Sequence, residues 1–291
     1  MSKKNILVTG SNGQLGNEFR DLSENNNYFN FIFTDRSHLS IENETEVERY
    51  FSERKIDFCI NCAAYTAVDK AEAEFELAMS ANALAVRNLS RVCMKHNTRL
   101  VHISTDYVFN GTADKPYKES EITDPVNKYG ESKREGELLA LAVNPQIIII
   151  RTSWLYSSHG KNFVKTMIRL MNEKERIGVV SDQMGSPTYA ADLAQAILQI
   201  IEKNETPEPG IYHFSNKGMI SWFDFAVAIK EIIKSKCIVD SIQTSDYPTP
   251  AARPGYSVFD TSKIQDQFGL VIPEWKESLK KCVNLMASGR S

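Results

Sequence analysis

Short apolar runs alternate with longer segments of helical periodicity through the first half of the chain. The runs predict strands at Asn5–Thr9, Phe29–Thr34, Phe58–Asn61, Leu100–Ser104 and Ile147–Arg151. Apolar residues spaced three or four positions apart predict intervening helices at Gln14–Leu22, Glu44–Arg54, Glu72–His96 and Asn127–Leu141. Strands rich in Ile and Val that alternate with helices are typical of βαβ units. We therefore predict an α/β fold with a doubly wound parallel sheet.

The pattern is looser after about residue 152, where loops rich in Gly and Pro separate the predicted helices. These helices are expected at Phe163–Met171, Ala191–Glu202, Trp222–Lys234 and Pro273–Met286. Several long loops in one half of an α/β protein fit a unit that covers a ligand. We therefore predict two domains. Residues 1–152, with interleaved segments up to about residue 210, form the sheet, and residues from about 153 to 291 form a smaller C-terminal α/β unit that binds a substrate.

The composition argues against several classes of function. The 34 Lys and Arg residues nearly balance the 37 Asp and Glu residues, for a net charge of −3, so a basic surface for nucleic acid is not expected. No apolar stretch reaches the roughly 20 residues of a membrane span, and the first apolar run is too short for a signal peptide. Cys59 and Cys62 lie in an apolar run and are expected in the core. We therefore expect a cytoplasmic protein without a membrane partner.

Three glycines follow the first predicted strand, in the segment ILVTGSNGQLGNEF. Gly10 permits a tight turn, Gly13 lets the backbone approach a pyrophosphate, and Gly16 lets the helix pack closely on the strand. The pyrophosphate would lie on free N–H groups at the helix N-terminus. Asp35 ends the next strand, where a carboxylate accepts hydrogen bonds from an adenosine ribose, whereas Arg36 could hold the 2′-phosphate of NADP. The first domain is thus predicted to be a Rossmann-like dinucleotide-binding domain, with NAD and NADP both open.

A second group of polar residues surrounds the carboxyl end of the fourth predicted strand. Thr105, in the string HISTDYVF, stands where its hydroxyl can orient a substrate carbonyl. Tyr129 and Lys133 are four residues apart and share one helix face. An ammonium about 4 Å from the phenol, at an effective dielectric near 20, is worth about 4 kcal/mol and lowers the tyrosine pKa by up to roughly 3 units. The three residues form a hydride-transfer set in which Tyr129 gives the proton.

These motifs together are similar to those of the extended short-chain dehydrogenases/reductases. Longer strings narrow the resemblance, namely NCAAYTAVDKAE, RTSWLY, KNFVKTMIRL, DQMGSPTYAADLA, SWFDFA and PTPAARPGYSVFDTSK. In content and order they resemble the dTDP-4-dehydrorhamnose reductase family, from Ile6 to about Met286. The resemblance implies that NADH or NADPH reduces the C4 keto group of dTDP-4-dehydro-β-L-rhamnose to give dTDP-L-rhamnose, a polysaccharide precursor. It also implies a nucleotide-sugar as the partner and allows a homodimer.

The resemblance assigns roles to individual residues. Tyr129 is expected to protonate the alkoxide, Thr105 to orient the carbonyl, and Lys133 to assist Tyr129. Cofactor contacts are expected from Gly10, Gly13, Gln14, Leu15, Gly16, Asp35, Arg36, Ala64, Tyr65, Thr66, Ile103, Tyr129 and Lys133. Substrate contacts are expected from Thr105, Asp106, Trp154, Val68, Asp69 and Arg253. Arg253 lies in a loop between two prolines, and its guanidinium offers a fork suited to a diphosphate.

Some members of this family form a magnesium-bridged dimer through glutamates. Glu18 matches one of these positions, but Ala191 stands where the other would be, with Asp192 beside it. We therefore expect no metal site and no requirement for magnesium.

Two alternatives to a reductase stay open on the sequence. One is an epimerase or dehydratase of the same superfamily that keeps its cofactor bound. The other is a non-catalytic NADP-binding regulatory subunit, like the one attached to methionine adenosyltransferase in animals. The presence of Thr105, Tyr129 and Lys133 together favours the reductase.

Overall fold

The computed structural model describes residues 3–203 and 206–288. Its strands are β1 (Lys4–Thr9), β2 (Phe29–Phe33), β3 (Phe58–Asn61), β4 (Arg99–Thr105), β5 (Ile148–Thr152), β6 (Leu155–Tyr156), β7 (Arg176–Val180), β8 (Met184–Gly185), β9 (Thr188–Tyr189), β10 (Gly210–Phe214), β11 (Ile220–Ser221) and β12 (Ile238–Ile242). Its α-helices are α1 (Gln14–Glu24), α2 (Glu44–Ser52), α3 (Val68–Ala71), α4 (Phe75–Met79), α5 (Ala85–Lys95), α6 (Lys128–Val143), α7 (Phe163–Glu173), α8 (Ala190–Lys203), α9 (Trp222–Ile233), α10 (Ser262–Phe268) and α11 (Trp275–Ala287).

Six of the strands form one parallel sheet in the order β10–β5–β4–β3–β1–β2. The chain runs outward from β1 to β2 and then returns to the other side of β1 as β3. The strand order therefore reverses between β1 and β3, and ligands of open α/β sheets bind in the crevice at the carboxyl ends of the strands at such a reversal. The topology confirms the predicted doubly wound α/β fold.

Both faces of the sheet are covered, which explains why its strands are apolar without interruption. Successive side chains of a strand point to opposite faces. Ile6 accordingly packs in the cluster that includes α1 and α8, whereas Leu7 packs in the cluster that includes α2 and α5. Both side chains are fully buried. The sheet therefore presents only its strand ends to a ligand.

A separate apolar cluster is built from the second half of the chain. It joins α7, α9 and α11 to the parallel pair β7–β12, with Phe225 and Leu279 fully buried within it. The same half of the chain also supplies β10 to the large sheet, and Ile264 and Phe268 of α10 pack in a sheet cluster. The proposed division into two domains stays a prediction, and residues 289–291 at its end lie outside the described residues.

The strands predicted for the first half of the chain lie within one residue of the observed ends, but one helix was predicted wrongly. The segment Glu72–His96 is not one helix, because a π-helical turn at Ser80–Leu84 separates α4 from α5. A π-turn holds an extra residue per turn, and such turns are frequent at functional sites. Apolar periodicity does not reveal it, because the residues on either side keep their helical spacing.

The cysteines expected in the core differ in burial. Cys59 is buried and Cys62 is half-buried, and all five cysteines are free thiols. Burial raises the pKa of the Cys62 thiol well above its ordinary value, which keeps the thiol protonated and unreactive. Among the described helices, none is both long and apolar enough to cross a bilayer.

The contact between α6 and the π-helical turn provides a stability test. A Cβ atom added at Gly136 would overlap the carbonyl oxygen of Asn82, which is backbone and cannot rotate away. In an open helix, glycine to alanine stabilises by up to about 1 kcal/mol. We expect Gly136→Ala instead to lower the free energy of unfolding by at least about 2 kcal/mol, measured by urea denaturation. The exposed Leu138→Ala on the same helix is the control and should change it little. A more stable Gly136→Ala variant would contradict this packing.

Candidate active site

The glycine turn between β1 and α1 forms a cradle that side chains would fill. Gly10 has a φ of +63°, and a Cβ atom there would lie 2.5 Å from the backbone nitrogen of Ala63. A Cβ atom at Gly16 would lie 2.5 Å from Cα of Ser11. Gly13 begins α1 without a side-chain cap, so the first N–H groups of the helix are available to an anion. The turn therefore fits the diphosphate of a dinucleotide.

A cavity of about 840 Å³ extends from this turn along the carboxyl ends of the strands. Its lining includes the predicted residues Gly10, Gly13, Gln14, Leu15, Gly16, Asp35, Arg36, Ala64, Tyr65, Thr66, Val68, Ile103, Thr105, Asp106, Tyr129, Lys133 and Trp154. Residues that were not predicted to contact the cofactor or the substrate also line it, including Asn12, Ser40, Ser104, Tyr107, Lys161 and Trp222. Two predicted substrate residues, Asp69 and Arg253, are not among those that line it.

Asp35 and Arg36 lie at the end of the cavity beside the glycine turn. Asp35 accepts hydrogen bonds from the Asn12 amide at 2.6 Å and from the hydroxyl of Ser37 at 2.6 Å. Hydrogen bonds from Ser37 and His38 hold the pKa of Asp35 well below its ordinary value, so it is a carboxylate at neutral pH. The Arg36 guanidinium is exposed and lies 2.7 Å from a carboxylate oxygen of Glu42. This end of the cavity therefore offers an acceptor for hydroxyl groups and a cation within reach of a phosphate.

Thr105, Asp106 and Tyr129 meet at the carboxyl end of β4. The Thr105 hydroxyl donates to a carboxylate oxygen of Asp106 at 3.0 Å, and the backbone N–H of Tyr107 donates to the same hydroxyl at 3.2 Å. Burial raises the pKa of Asp106 to about 6, against hydrogen bonds from Ser257 and Thr105 that favour the charged form. The carboxyl and the hydroxyl form a polar edge beside an otherwise buried phenol.

The pKa of Tyr129 differs from the expectation that the nearby ammonium of Lys133 lowers it. Burial raises the pKa of Tyr129 to about 12, although a hydrogen bond with Thr105 acts in the opposite direction. Burial also lowers the pKa of Lys133 to about 8, because the residue is only 2% exposed. The expected lowering of the Tyr129 pKa is therefore wrong for this structure, in which loss of hydration has the largest effect on the phenol.

Asn82 is a positioning residue that the sequence reasoning missed. It lies in the π-helical turn, accepts a hydrogen bond from the Tyr65 backbone N–H at 2.8 Å and donates to the Tyr65 carbonyl at 3.0 Å. Its amide also donates to the Ser132 hydroxyl at 3.0 Å, and that hydroxyl donates to the Tyr129 carbonyl at 2.7 Å. Asn82 thereby joins the loop after β3 to the helix that carries Tyr129 and Lys133. A buried asparagine within a predicted helix is the signal that could have identified it.

Trp154 and Trp222 form an aromatic wall of the cavity. Their rings stack at 3.6 Å between centroids and 10° between planes. Trp154 has a φ of +49°, a left-handed conformation that is strained for a bulky residue. A Cβ atom at Gly185 would lie 2.5 Å from the Trp154 ring, so β8 closes in on the ring as well. The stack and this close approach hold Trp154 in its strained conformation.

Asp69 and Arg253 form an ion pair. The Arg253 guanidinium lies 2.8 Å from a carboxylate oxygen of Asp69, and it also donates to the Ala251 carbonyl at 2.9 Å. This ion pair ties α3 to the loop between the two prolines. The substrate role expected of both residues stays a prediction, which would require the pair to share its charges with a ligand.

Glu18 lies in a cluster of ionisable side chains with Asp21 and His159. The ligand atoms of Glu18, Asp21 and His159 lie within 4.8 Å of one another. Their hydrogen-bonding capacity is already used in part, because Ser157 donates to Glu18 at 2.5 Å and His159 lies 2.7 Å from Asp21. Asp192 instead accepts hydrogen bonds from Asn216 and Ser278.

Comparison with known proteins extends over nearly the whole chain. The family model described as RmlD substrate binding domain matches residues 4–288. The chain belongs to this family. A family member from Aggregatibacter actinomycetemcomitans, the dTDP-4-dehydrorhamnose reductase, is 43% identical over 284 residues, which cover 94% of this chain and 97% of the relative. The match therefore includes the glycine turn, the Tyr129–Lys133 helix and the C-terminal cluster.

Solved structures of family members show the same fold. A dTDP-4-dehydrorhamnose reductase from Clostridium acetobutylicum is 41% identical with a TM-score of 0.93, covering 97% of this chain and 99% of that one. The dTDP-4-dehydrorhamnose reductase from Bacillus anthracis, solved in complex with NADP, is also 41% identical, with a TM-score of 0.92 and the same coverage. The RmlD-type fold of this chain is thus that of dinucleotide-binding relatives.

The buried Asp106 carboxyl predicts a pH-dependent effect on the stability of the fold. Because its pKa is raised to about 6, the folded chain binds a proton here more tightly than the unfolded chain does. Its stabilising contribution is present at low pH and is lost as the pH rises through about 6. We expect Asp106→Asn to raise the free energy of unfolding at about pH 8 by about 1–3 kcal/mol, with no gain below about pH 4.

Urea denaturation at both pH values measures this effect. The exposed Asp266→Asn on α10 is the matched control, and we expect a change within about 0.5 kcal/mol at either pH. A loss of stability for Asp106→Asn at about pH 8 would show that the carboxylate is stabilised rather than penalised by its surroundings.

Proposed function

We propose that this chain reduces the C4 keto group of dTDP-4-dehydro-β-L-rhamnose to give dTDP-L-rhamnose, with NADH or NADPH as the reductant. The observation that carries the proposal is the single cavity that joins the glycine turn to Thr105, Tyr129 and Lys133. Relatives that share at least 41% of their residues with this chain are named dTDP-4-dehydrorhamnose reductases. The proposal includes no metal.

The cofactor half of the cavity holds a dinucleotide through its backbone and its rim. The first N–H groups of α1 bind the diphosphate, and Asp35 accepts hydrogen bonds from a ribose. When bound, a reduced nicotinamide supplies the hydride. Lys133 lies at the far end of this half, where its amine can hold ribose hydroxyls.

The polar groups at the end of β4 act on the substrate oxygen. The Thr105 hydroxyl orients the carbonyl, and Tyr129 gives its proton to the oxygen as the C4 carbon is reduced. A phenol whose pKa is about 12 is fully protonated at neutral pH, so it enters the reaction as a donor. The stacked Trp154 and Trp222 rings line the same cavity and offer an apolar surface to the sugar. A homodimer and a cytoplasmic location remain predictions.

The reductase assay tests the proposal directly. The protein is mixed with dTDP-4-dehydro-L-rhamnose and either NADH or NADPH, and the loss of nicotinamide absorbance is followed. We expect Tyr129→Phe to lower kcat by at least about 100-fold with cofactor affinity nearly unchanged, because the proton donor is lost but the cavity is kept. Tyr28→Phe, at an exposed tyrosine that does not line the cavity, is the control and should retain full turnover. Tight cofactor binding without consumption of either cofactor would favour a regulatory subunit instead.

Arg36 and Glu42 predict how the two cofactors are distinguished. A charge-assisted hydrogen bond to the 2′-phosphate of NADPH is worth about 1.5–3 kcal/mol. We therefore expect Arg36→Gln to weaken NADPH binding by at least about 10-fold and NADH binding far less, measured by fluorescence titration. Glu42→Gln frees the guanidinium from its ion pair and should strengthen NADPH binding. Equal effects of Arg36→Gln on both cofactors would place the 2′-phosphate elsewhere.

A further inference from the structure

A row of buried polar side chains runs from the central sheet to α6 and ends at Lys133. It consists of Thr9 on β1, Asn61 on β3, His102 on β4 and Lys133 on α6, each between 0% and 2% exposed. The contacts run in sequence. The Thr9 hydroxyl donates to Asn61 at 2.7 Å, the Asn61 amide lies 3.0 Å from His102, and His102 lies 3.5 Å from the Lys133 amine. The proposed reaction uses only the last of these residues.

The first step concerns the orientation of the Asn61 amide. The backbone N–H of Ala63 points at one atom of this amide at 3.2 Å, and a backbone N–H can only donate. That atom must therefore be the oxygen, Oδ1. The nitrogen, Nδ2, then faces Nδ1 of His102 and can only donate to it.

The second step concerns the proton on His102. Because Nδ1 accepts a hydrogen bond from Asn61, it carries no proton, and a neutral imidazole then carries its proton on Nε2. An imidazolium would set two N–H groups against each other. Burial and the nearby Lys133 hold the pKa of His102 well below its ordinary value, in agreement with a neutral ring.

The third step concerns Lys133, whose amine meets the Nε2–H of His102. The amine donates to the Ile103 carbonyl at 2.8 Å in either protonation state. A neutral amine also has a lone pair that can accept from Nε2–H, but an ammonium has none. The imidazole therefore favours the neutral amine over the ammonium.

We propose that Asn61 and His102 are positioning residues that present an N–H group to Lys133 and so keep it able to release and regain a proton. The proposal rests on the proposed reductase function, in which Tyr129 loses a proton in each turnover. An amine that changes its protonation state can return that proton to the phenolate and recover one from water. The chain of contacts passes through the Asn61 amide, which cannot relay a proton, so it fixes the histidine tautomer and does not itself conduct protons.

The other charged groups around Lys133 help to set the pH at which its ammonium loses a proton. Glu137, one turn further along α6, favours the ammonium, but its carboxylate is paired with Arg151 of β5 at 2.7 Å. His102 faces the amine from β4, and Tyr129 lies one turn away on α6. Burial outweighs Glu137 and lowers the pKa of Lys133 to about 8. The ammonium is therefore present below about pH 8, and kcat/KM for reduction should fall as the pH rises through that value.

Nitrogen NMR of histidine-labelled protein tests the tautomer without any turnover. The chain has five histidines, and the signal absent from His102→Gln assigns His102. We expect a neutral ring with its proton on Nε2 in the natural chain. In Asn61→Asp, the introduced carboxylate accepts from Nδ1, and the proton should move there. A proton on Nδ1 in the natural chain, or a charged ring at neutral pH, would overturn the proposal.

The pH profile of kcat/KM tests the effect on Lys133. Asn61→Asp turns the lone pair of Nε2 toward the amine, and His102→Phe removes the N–H group. In both variants the alkaline limb of the profile, where kcat/KM falls as the pH rises, should therefore move to higher pH by about one unit. His102→Gln can accept from Asn61 and still present an N–H, so its limb should stay in place. Thr9→Val is the matched control, because Ala63 still orients the Asn61 amide and the limb should not move.

A limb that moves in Asn61→Asp but not in His102→Phe would assign the shift to the new charge alone and overturn the proposal. Activity losses in all variants with an unmoved limb would show a purely structural role and overturn it as well. The nitrogen spectra do not depend on catalysis, so they separate a failure of this inference from a failure of the proposed reaction.

Discussion

The burial of one lysine amine constrains much of the structure around the cavity. An ammonium withdrawn from water is costly unless its surroundings replace its hydration. The Lys133 ammonium is supported by the Ile103 carbonyl and, through space, by Glu137. Glu137 is itself buried and requires Arg151, whose guanidinium lies 3.4 Å from the neutral His213. Two buried cations, Lys133 and Arg151, thus link α6 to β4 and β5 and fix how α6 docks on the sheet.

The helix is fixed on its other side by close backbone contact. Gly136 lets α6 approach the π-helical turn, and Asn82 in that turn holds both the loop after β3 and the backbone of Tyr129 through Ser132. The glycine turn after β1 approaches the same loop, because Gly10 leaves no side chain between the two segments. The cofactor turn, the loop after β3 and the catalytic helix therefore form one rigid unit. A hydride-transfer site needs such rigidity, since small errors in position are costly in rate.

Many features of this unit follow from local patterns. Uninterrupted apolar strands predicted a sheet covered on both faces, and the spacing of Gly10, Gly13 and Gly16 predicted the cradle for a diphosphate. The spacing of Tyr129 and Lys133 predicted a shared helix face. Each of these features depends on residues close together in the chain, so the pattern is sufficient. The break in the predicted helix Glu72–His96 was missed because an extra residue in one turn hardly alters its periodicity.

The sequence alone determined the fold class and the position of the glycine turn, and it predicted which side chains react, because these features are set by periodicity and by short motifs. Only the tertiary structure decided the electrostatic state of those side chains. Tyr129 and Lys133 have pKa values governed by burial, which results from packing between distant segments. Asn61 and His102 lie on different strands, and their effect on Lys133 depends on hydrogen bonds that only the parallel register of β3 and β4 creates. Spacing along a chain carries no information on hydration or on which atom of an amide faces a neighbour.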